Sequence, residues 1–359
     1  VKSFTMTQRP VITIKQVAEK CGLSVATVSY ALRGKSKISP ATRQQVAAVA
    51  EALGYRPNPR VAGLMAHIRR ARGPSLGERI AFVWVHTSKA ESRSDPFLRT
   101  VFQGARHRAE QLGYALEEFW TDERGMTDRR LSDILKARSI GGVLFSPVMH
   151  EVTVRLEFEW ESFSCAVIGQ AEWLPELHHS GHHHYHAMRL TLDELGRRGC
   201  RRPALVLDAE TNERGRRAWQ AAFLVYHPRP KDAPGLILHG FPGSANELQA
   251  WMTRHRPDAV ILHFSEMVRR YQSWVPARPE RTVCALRWSP DLAEFPGIDQ
   301  RFDLVAANAV DLVVSQLITN ERGVPPVHRV TLFPGQWMEG EGFAGKALPS
   351  PQKLVPVHR

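Results

Sequence analysis

The chain has 359 residues, 43% of them apolar, enough for two or three domains with cores of their own at ~150 residues each. Its uninterrupted apolar runs fall well short of the ~20 residues of a membrane span, and no apolar signal core opens the chain. Four scattered cysteines (Cys21, Cys165, Cys200, Cys284) form no CxxC pair, which disfavours a disulfide framework or a cysteine zinc site and fits a reducing cytoplasm. The net charge is +12, and it is concentrated. Residues 1–75 hold thirteen basic residues against the two acids Glu19 and Glu51, while the rest of the chain is close to neutral. A basic head on a neutral body points to a polyanionic partner for the head.

Residues 1–10 lack periodicity and read as a flexible tail. Thr13 is placed to cap a first helix with Ile14, Val17 and Ala18 on its inner face. Gly22 suits the left-handed residue of a tight turn. Ser24 caps a second helix, Val25 to Leu32, with Val28 and Leu32 inward and Gly34 ending it. Ser39-Pro40 opens a third, with Val46, Val49, Ala50 and Leu53 on the inner stripe and Gly54 as its stop. Three short helices with a tight turn between the first two predict a helix-turn-helix over residues 11–56. In that motif the start of the second helix enters the major groove. Val25 and Ala26, with Tyr30 one turn on, would face the bases, and Ser24, Thr27 and Ser29 offer hydroxyls to phosphates.

Val11 to Leu64 resembles the head of the lactose-repressor/galactose-repressor (LacI/GalR) family of bacterial transcription regulators. The matching elements are I-x-x-V-A from Ile14, G-L-S-x-x-T-V-S from Gly22, L-x-G from Leu32, I-S-x-x-T-R from Ile38 and L-G-Y-x-P-N from Leu53. The resemblance implies a homodimer on near-palindromic double-stranded operator DNA, and a hinge helix that folds only on DNA. That hinge would lie within a 57–78 hinge and linker segment, capped by Asn58, with Leu64 as the apolar wedge in a central minor-groove step. Thr13, Arg43 and Arg60 complete the expected DNA contacts. The family often reads bases with an arginine where this chain has Tyr30. Contact with thymine methyls is the substitute its apolar side chains allow.

After Gly73-Pro74-Ser75-Leu76-Gly77, apolar runs alternate with amphipathic stretches. Strands are predicted at Ile80–Val85, Ala115–Phe119, Gly142–Ser146, Cys165–Ile168, Ala204–Leu207, Leu236–Leu238, Ala259–Leu262 and Thr282–Leu286. Helices are predicted at Phe97–Leu112, Asp128–Lys136, Ala187–Arg198, Arg216–Tyr226, Glu247–His255 and Leu304–Asn320. This alternation predicts α/β lobes built on doubly wound parallel sheets. Asp95-Pro96-Phe97, the run Leu195 to Val206 and Gly297-Ile298-Asp299-Gln300 resemble segments of the family's body. The resemblance implies a periplasmic-binding-protein-type body over 79–345, with two lobes, three crossovers, a ligand cleft and dimerisation, followed by a tail at 346–359.

Cleft residues in such folds come from loops at the carboxyl ends of strands. These are His86 to Phe97, Ser146 to Val148, Asp208 to Arg217, His263 to Glu266, and Arg287-Trp288. Matched to the family, Asp95 and Phe97 fall on the effector-stacking segment, and Ser265 and Arg287 fall at or beside family aspartates. Trp219 takes the place of a common ligand-binding arginine, a charge that Arg216 is near enough to supply. With Ser146 and Trp288 these form the expected effector site. Arginine in place of aspartate favours a carboxylate or phosphate on a carbohydrate-derived ligand, a sugar acid or sugar phosphate; a neutral sugar stacked on tryptophan is the competing reading.

Residues 178–186 hold six histidines in nine positions, read as a polar loop, with a metal site as the alternative. No GxSxG, Walker loop, GxGxxG or HExxH occurs, so the reading assigns no catalytic residue, no cofactor and no metal. The expected function is a non-enzymatic, sequence-specific DNA-binding regulator, a repressor, controlled by a sugar or sugar acid. It would act in the bacterial cytoplasm on the nucleoid, with no membrane partner. A metal-responsive regulator using the histidine cluster, or a ligand-independent DNA-binding protein, are the alternatives.

Overall fold

The computed structural model describes residues 12–32, 38–55, 78–275 and 281–341. The predicted tails and residues 57–77 of the hinge and linker segment, and with them Asn58, Arg60 and Leu64, lie outside the described residues.

The head is three helices around a small core: α1 (Ile14–Cys21), α2 (Val25–Leu32) and α3 (Pro40–Leu53). Val17, Val28 and Val46 have no solvent exposure and meet at its centre, one from each helix, with Ala18, Ala31 and Ala50 beside them. Each start is fixed locally. Thr13 and Gln16 close on one another, with the Thr13 amide donating to Gln16 Oε1 at 2.7 Å. The Ser24 hydroxyl accepts from the Thr27 amide at 3.0 Å, and Ser39 from the Thr42 amide at 3.2 Å. Gly22 ends α1 at φ +67°, where a side chain would be strained.

The body is two lobes. The first holds a six-stranded, all-parallel sheet in the order β13-β7-β5-β3-β1-β2. Its strands are β1 (Arg79–Trp84), β2 (Ala115–Trp120), β3 (Gly142–Phe145), β5 (Ser164–Ile168), β7 (His178–His182) and β13 (Val330–Phe333). β4 (Thr153–Arg155) and β6 (Glu172–Leu174) form a separate parallel pair. A parallel sheet is covered on both faces, so its strands read as continuous apolar runs. β1 shows why. Ile80, Phe82 and Trp84 pack under α5 (Pro96–Gln111) and α12 (Phe302–Thr319), whereas Ala81 and Val83 pack on the other face with Leu131 and Leu135 of α6 (Asp128–Ala137). The short α4 (Lys89–Ser94) precedes α5. By length and composition α12 passes for a membrane span, but Val305, Ala309, Val310 and Val313 are buried against this sheet as core.

The second lobe has the strand order β14-β12-β11-β10-β8-β9, parallel except for β14 against β12. Its strands are β8 (Pro203–Leu207), β9 (Ile237–His239), β10 (Ala259–Leu262), β11 (Thr282–Ala285), β12 (Gly297–Asp299) and β14 (Gln336–Met338). Its helices are α7 (His184–Arg197), α8 (Ala209–Arg214), α9 (Ala218–Tyr226), α10 (Ala245–His255) and α11 (Ser265–Trp274). The chain crosses between lobes three times, at β7 to α7, at β12 to α12, and at β13 to β14. The doubly wound two-lobe expectation holds.

The histidine run is not a loop. His178 to His182 form β7, buried along its length between β5 and β13. Backbone pairing on both sides holds this strand, with the Gly169 amide on the Ser180 carbonyl and the His179 amide on the Arg329 carbonyl at 2.8 and 2.9 Å. The imidazoles enter as neutral groups, since burial pushes the pKa values of His178, His179 and His182 down.

Candidate functional site

Two surfaces carry candidate chemistry. The first is the outer face of α2. Val25 and Tyr30 are each 43% exposed, and Ala26 is exposed beside them. Apolar side chains left in water at the start of a helix whose inner face is fully packed form a contact surface. Ser24 and Thr27 sit at its N-terminus with their hydroxyls 2.7 Å apart. Thr13 lies at the N-terminus of α1, and Ser29 and Arg43 are half-buried.

The second surface is a cleft between the lobes, with about 560 Å³ of empty space, part of it open to solvent. The first lobe contributes Phe97 from the start of α5, Pro147 to Met149 after β3, and Gly169 to Ala171 after β5. The second lobe contributes Thr211 and Arg214 from α8, Trp219 from α9, His263-Phe264 after β10 and Arg287 after β11. His184, Gln300 and Phe302 come from the crossovers. Both sheets point their carboxyl ends at this space, which is where ligands bind in open α/β folds.

The lining is aromatic and cationic. Trp219 is fully buried, stacked on His184 at 4.6 Å between ring centroids, with His182 and His263 at 5.7 and 6.0 Å. The Arg287 guanidinium lies over two rings, Phe97 of the first lobe at 4.7 Å and Phe264 of the second at 4.8 Å. Arg214 gives one hydrogen bond, to the Thr211 hydroxyl at 3.2 Å. Among the described residues neither arginine has a carboxylate within 4.0 Å, and no Asp or Glu lines the cleft. Burial lowers the pKa of both guanidinium groups. It also holds His263 well below the ordinary imidazole range and His184 at about 3, so both rings are neutral. Among the described residues several buried polar atoms have no partner: Arg214 Nη1, Trp219 Nε1, His184 Nδ1 and His263 Nδ1 at the cleft, and Asp208 Oδ2 just behind it. Buried polar groups are almost always paired, so a cluster of orphans around an open cleft marks a place for a polar ligand.

Of the expected effector residues, Phe97, Trp219 and Arg287 line the cleft. Asp95 instead caps α5, its Oδ1 accepting from the Phe97 and Leu98 amides at 2.7 and 3.2 Å. Ser146 is fully buried and its hydroxyl accepts from the Val85 amide at 3.0 Å. Arg216, left-handed at φ 52°, turns away to Glu176 at 4.0 Å. Ser265 begins α11 just past the lining pair His263-Phe264. Trp288 packs into the second-lobe core and donates to the Phe295 carbonyl at 3.1 Å. Arg214 and His263 lie within the expected cleft loops and His184 within the histidine run, but no sequence signal marks these side chains, or Gln300, as effector contacts. No group of three or more His, Cys, Asp or Glu among the described residues is arranged to hold a metal ion; His182 and His184 instead pack beside Trp219, and His183 packs against His186.

A helix-turn-helix head joined in one chain to a two-lobed body with a cleft defines a DNA-binding transcriptional regulator. Residues 13–58 match the family of bacterial regulatory proteins, lacI family. The chain is 27% identical over 254 residues to the HTH-type transcriptional regulator PtxS of Pseudomonas plecoglossicida, a match covering 70% of each protein. It is 36% identical over 105 residues to the maltose regulon regulatory protein MalI of Vibrio furnissii, covering 29% of this chain and 66% of that one. The fold is similar to that of a transcriptional regulator CelR-cellobiose complex, with a TM-score of 0.53 at 17% identity, over 93% of this chain and all of the other. Residues 13–58 thus carry a lacI-family head, and the chain as a whole is similar to curated transcriptional regulators.

Proposed function

We propose that the protein is a homodimeric repressor of the bacterial cytoplasm. It binds near-palindromic double-stranded operator DNA and is controlled by a carbohydrate-derived small molecule, a sugar or sugar acid, in the interlobe cleft. The observation that carries the reading is the cleft itself, with orphaned polar atoms in its walls and residues of both lobes around it. A ligand touching both lobes stabilises one lobe spacing over another. If the segments leading to the two heads follow that spacing, ligand and DNA affinities are coupled and each changes the other by the same factor.

On the DNA side, Val25, Ala26 and Tyr30 meet base edges and Thr13, Ser24, Thr27, Ser29 and Arg43 meet phosphates. Asn58, Arg60 and Leu64 are assigned to the hinge from the family resemblance. The chemistry proposed is binding only, with no catalytic residue, cofactor or metal and no membrane partner.

The test is a thermal-shift screen of sugars and sugar acids, followed by operator-binding titrations with and without each stabilising compound. A compound that stabilises the protein and shifts operator affinity at least several-fold supports the reading. Stabilising compounds that all leave operator affinity unchanged would refute effector control.

A further inference from the structure

We propose that the ligand of the cleft must carry an oxyanion, a carboxylate or phosphate, which Arg214 and Arg287 receive together; this rests on the cleft being the effector site. The two guanidinium groups line one space and neither has an ion-pair partner among the described residues. The acids closest to Arg287 are committed elsewhere or lie outside the lining. Asp95 spends Oδ1 on two amides at the start of α5, Glu266 is exposed, and Asp291 accepts from the Ser289 hydroxyl. For Arg214 the nearest are Asp208, whose Oδ1 caps α8, and the exposed Glu210.

A buried cation that no carboxylate contacts is costly; the acids around Arg214 and Arg287 act on them only at longer range, and the two cations share one cleft and disfavour each other. A ligand anion resolves both problems at once. Arginine is also suited to the task, because its fork of donors matches a planar carboxylate or a phosphate face. The Phe97 and Phe264 rings are stacked against Arg287 and supply it with no hydrogen-bond acceptor, so its N–H donors remain available. The neutral rings of His184 and His263 and the indole N–H of Trp219 are then left for the uncharged, hydroxyl-bearing part of the ligand.

Arg287 has a second role through Phe97. The stack bridges the lobes, since Phe97 belongs to the first and Arg287 to the second. An anion seated on Arg287 is therefore positioned to report its charge to the lobe spacing.

All nine tryptophans lie in the body, so their fluorescence reports on the lobes and not on the basic head, which would itself attract anions. The full-length protein is titrated with D-glucuronate, D-glucose 6-phosphate and D-glucose, and with acetate and inorganic phosphate as bare oxyanions, at fixed ionic strength. Arg214→Gln, Arg287→Gln and Arg287→Lys are titrated in parallel, with melting curves to confirm folding. The expected result is a saturable change with at least one oxyanion, weakened on the order of 10- to 100-fold by either Gln variant and partly retained in Arg287→Lys. Acetate against phosphate, and uronate against sugar phosphate, distinguish the two sources of the charge.

The proposal is overturned if D-glucose binds with the same affinity in wild type and both Gln variants. It is equally overturned if no oxyanion, bare or sugar-borne, gives an arginine-dependent signal at tens of millimolar. A neutral sugar that binds and shifts operator affinity leaves effector control standing while this inference falls. An arginine-dependent anion with no effect on operator affinity does the reverse.

Discussion

Acid should loosen the second lobe through the histidines behind Trp219. His184 titrates at about 3 in the folded protein against an ordinary value of 6.5, because burial disfavours its charged form and His183 and Arg214 add repulsion. His182 and His263 are shifted in the same direction, mainly by burial. Between these two values the unfolded chain takes up a proton that folded His184 refuses. Stability is therefore full above pH 6.5 and is lost as the pH falls through 6.5 toward 3. From neutrality to about pH 5 the shift on His184 amounts to about 2 kcal/mol, reduced to about 1–2 by water reaching the ring from the open side of the cleft.

The perturbation is His184→Gln, which removes the titrating ring but not its neighbours. Urea unfolding followed by tryptophan fluorescence, at neutral pH and at about pH 5, gives the loss for each protein. Wild type should lose about 1–2 kcal/mol more than the variant over that interval. Equal losses would show that His184 is hydrated in the folded state, and the account of the cleft wall as a dry, neutral surface would be wrong.

Two further outcomes follow from packing. A Cβ added at Gly104 would lie 2.4 Å from the Asp303 carbonyl oxygen, where α5 meets α12, so Gly104→Ala should cost about 1–3 kcal/mol by calorimetry of the body transition. Val28 is fully buried at the centre of the small head core, so Val28→Ala should cost about 2 kcal/mol. It should melt the head, read as loss of helical circular dichroism and of DNA binding, while ligand binding to the body is unchanged.

The head was legible almost residue by residue, because helix signals there are local. Caps at Thr13, Ser24 and Ser39, glycines at 22 and 54 and a 3.6-residue apolar stripe each act within one or two turns. The central strands were legible for a different reason: runs such as Ile80–Val85 and Ala259–Leu262 have both faces covered. β7 was not. His178 to His182 is polar, and what makes it a strand is pairing with β5 and β13, partners distant in sequence that no local pattern announces.

Five loops expected at the cleft each contribute lining residues, whereas Gly169 to Ala171 after β5 and the crossover residues His184, Gln300 and Phe302 fall outside them. Several side chains expected within the loops stand one or two positions from those that line the space. Ser146 stands beside Pro147 and Val148, which line the space, Ser265 beside His263 and Phe264, and Arg216 beside Arg214. Successive side chains at a strand end face opposite ways, so an error of one residue exchanges cleft for core. The short α8 that aims Arg214 inward, and the left-handed Arg216 and Arg217 after it, left no periodic signal to set the register.

The most direct test of the account is selection of bound sequences from a random double-stranded DNA pool by the purified full-length protein at physiological salt. The account predicts a near-palindromic site with a flexible central step, and loss of its outer base preferences in Tyr30→Ala and Val25→Ser. Enrichment of a site without two-fold symmetry, or no enrichment with and without the sugar acids and sugar phosphates that bind the cleft, would contradict a dimeric operator-binding regulator.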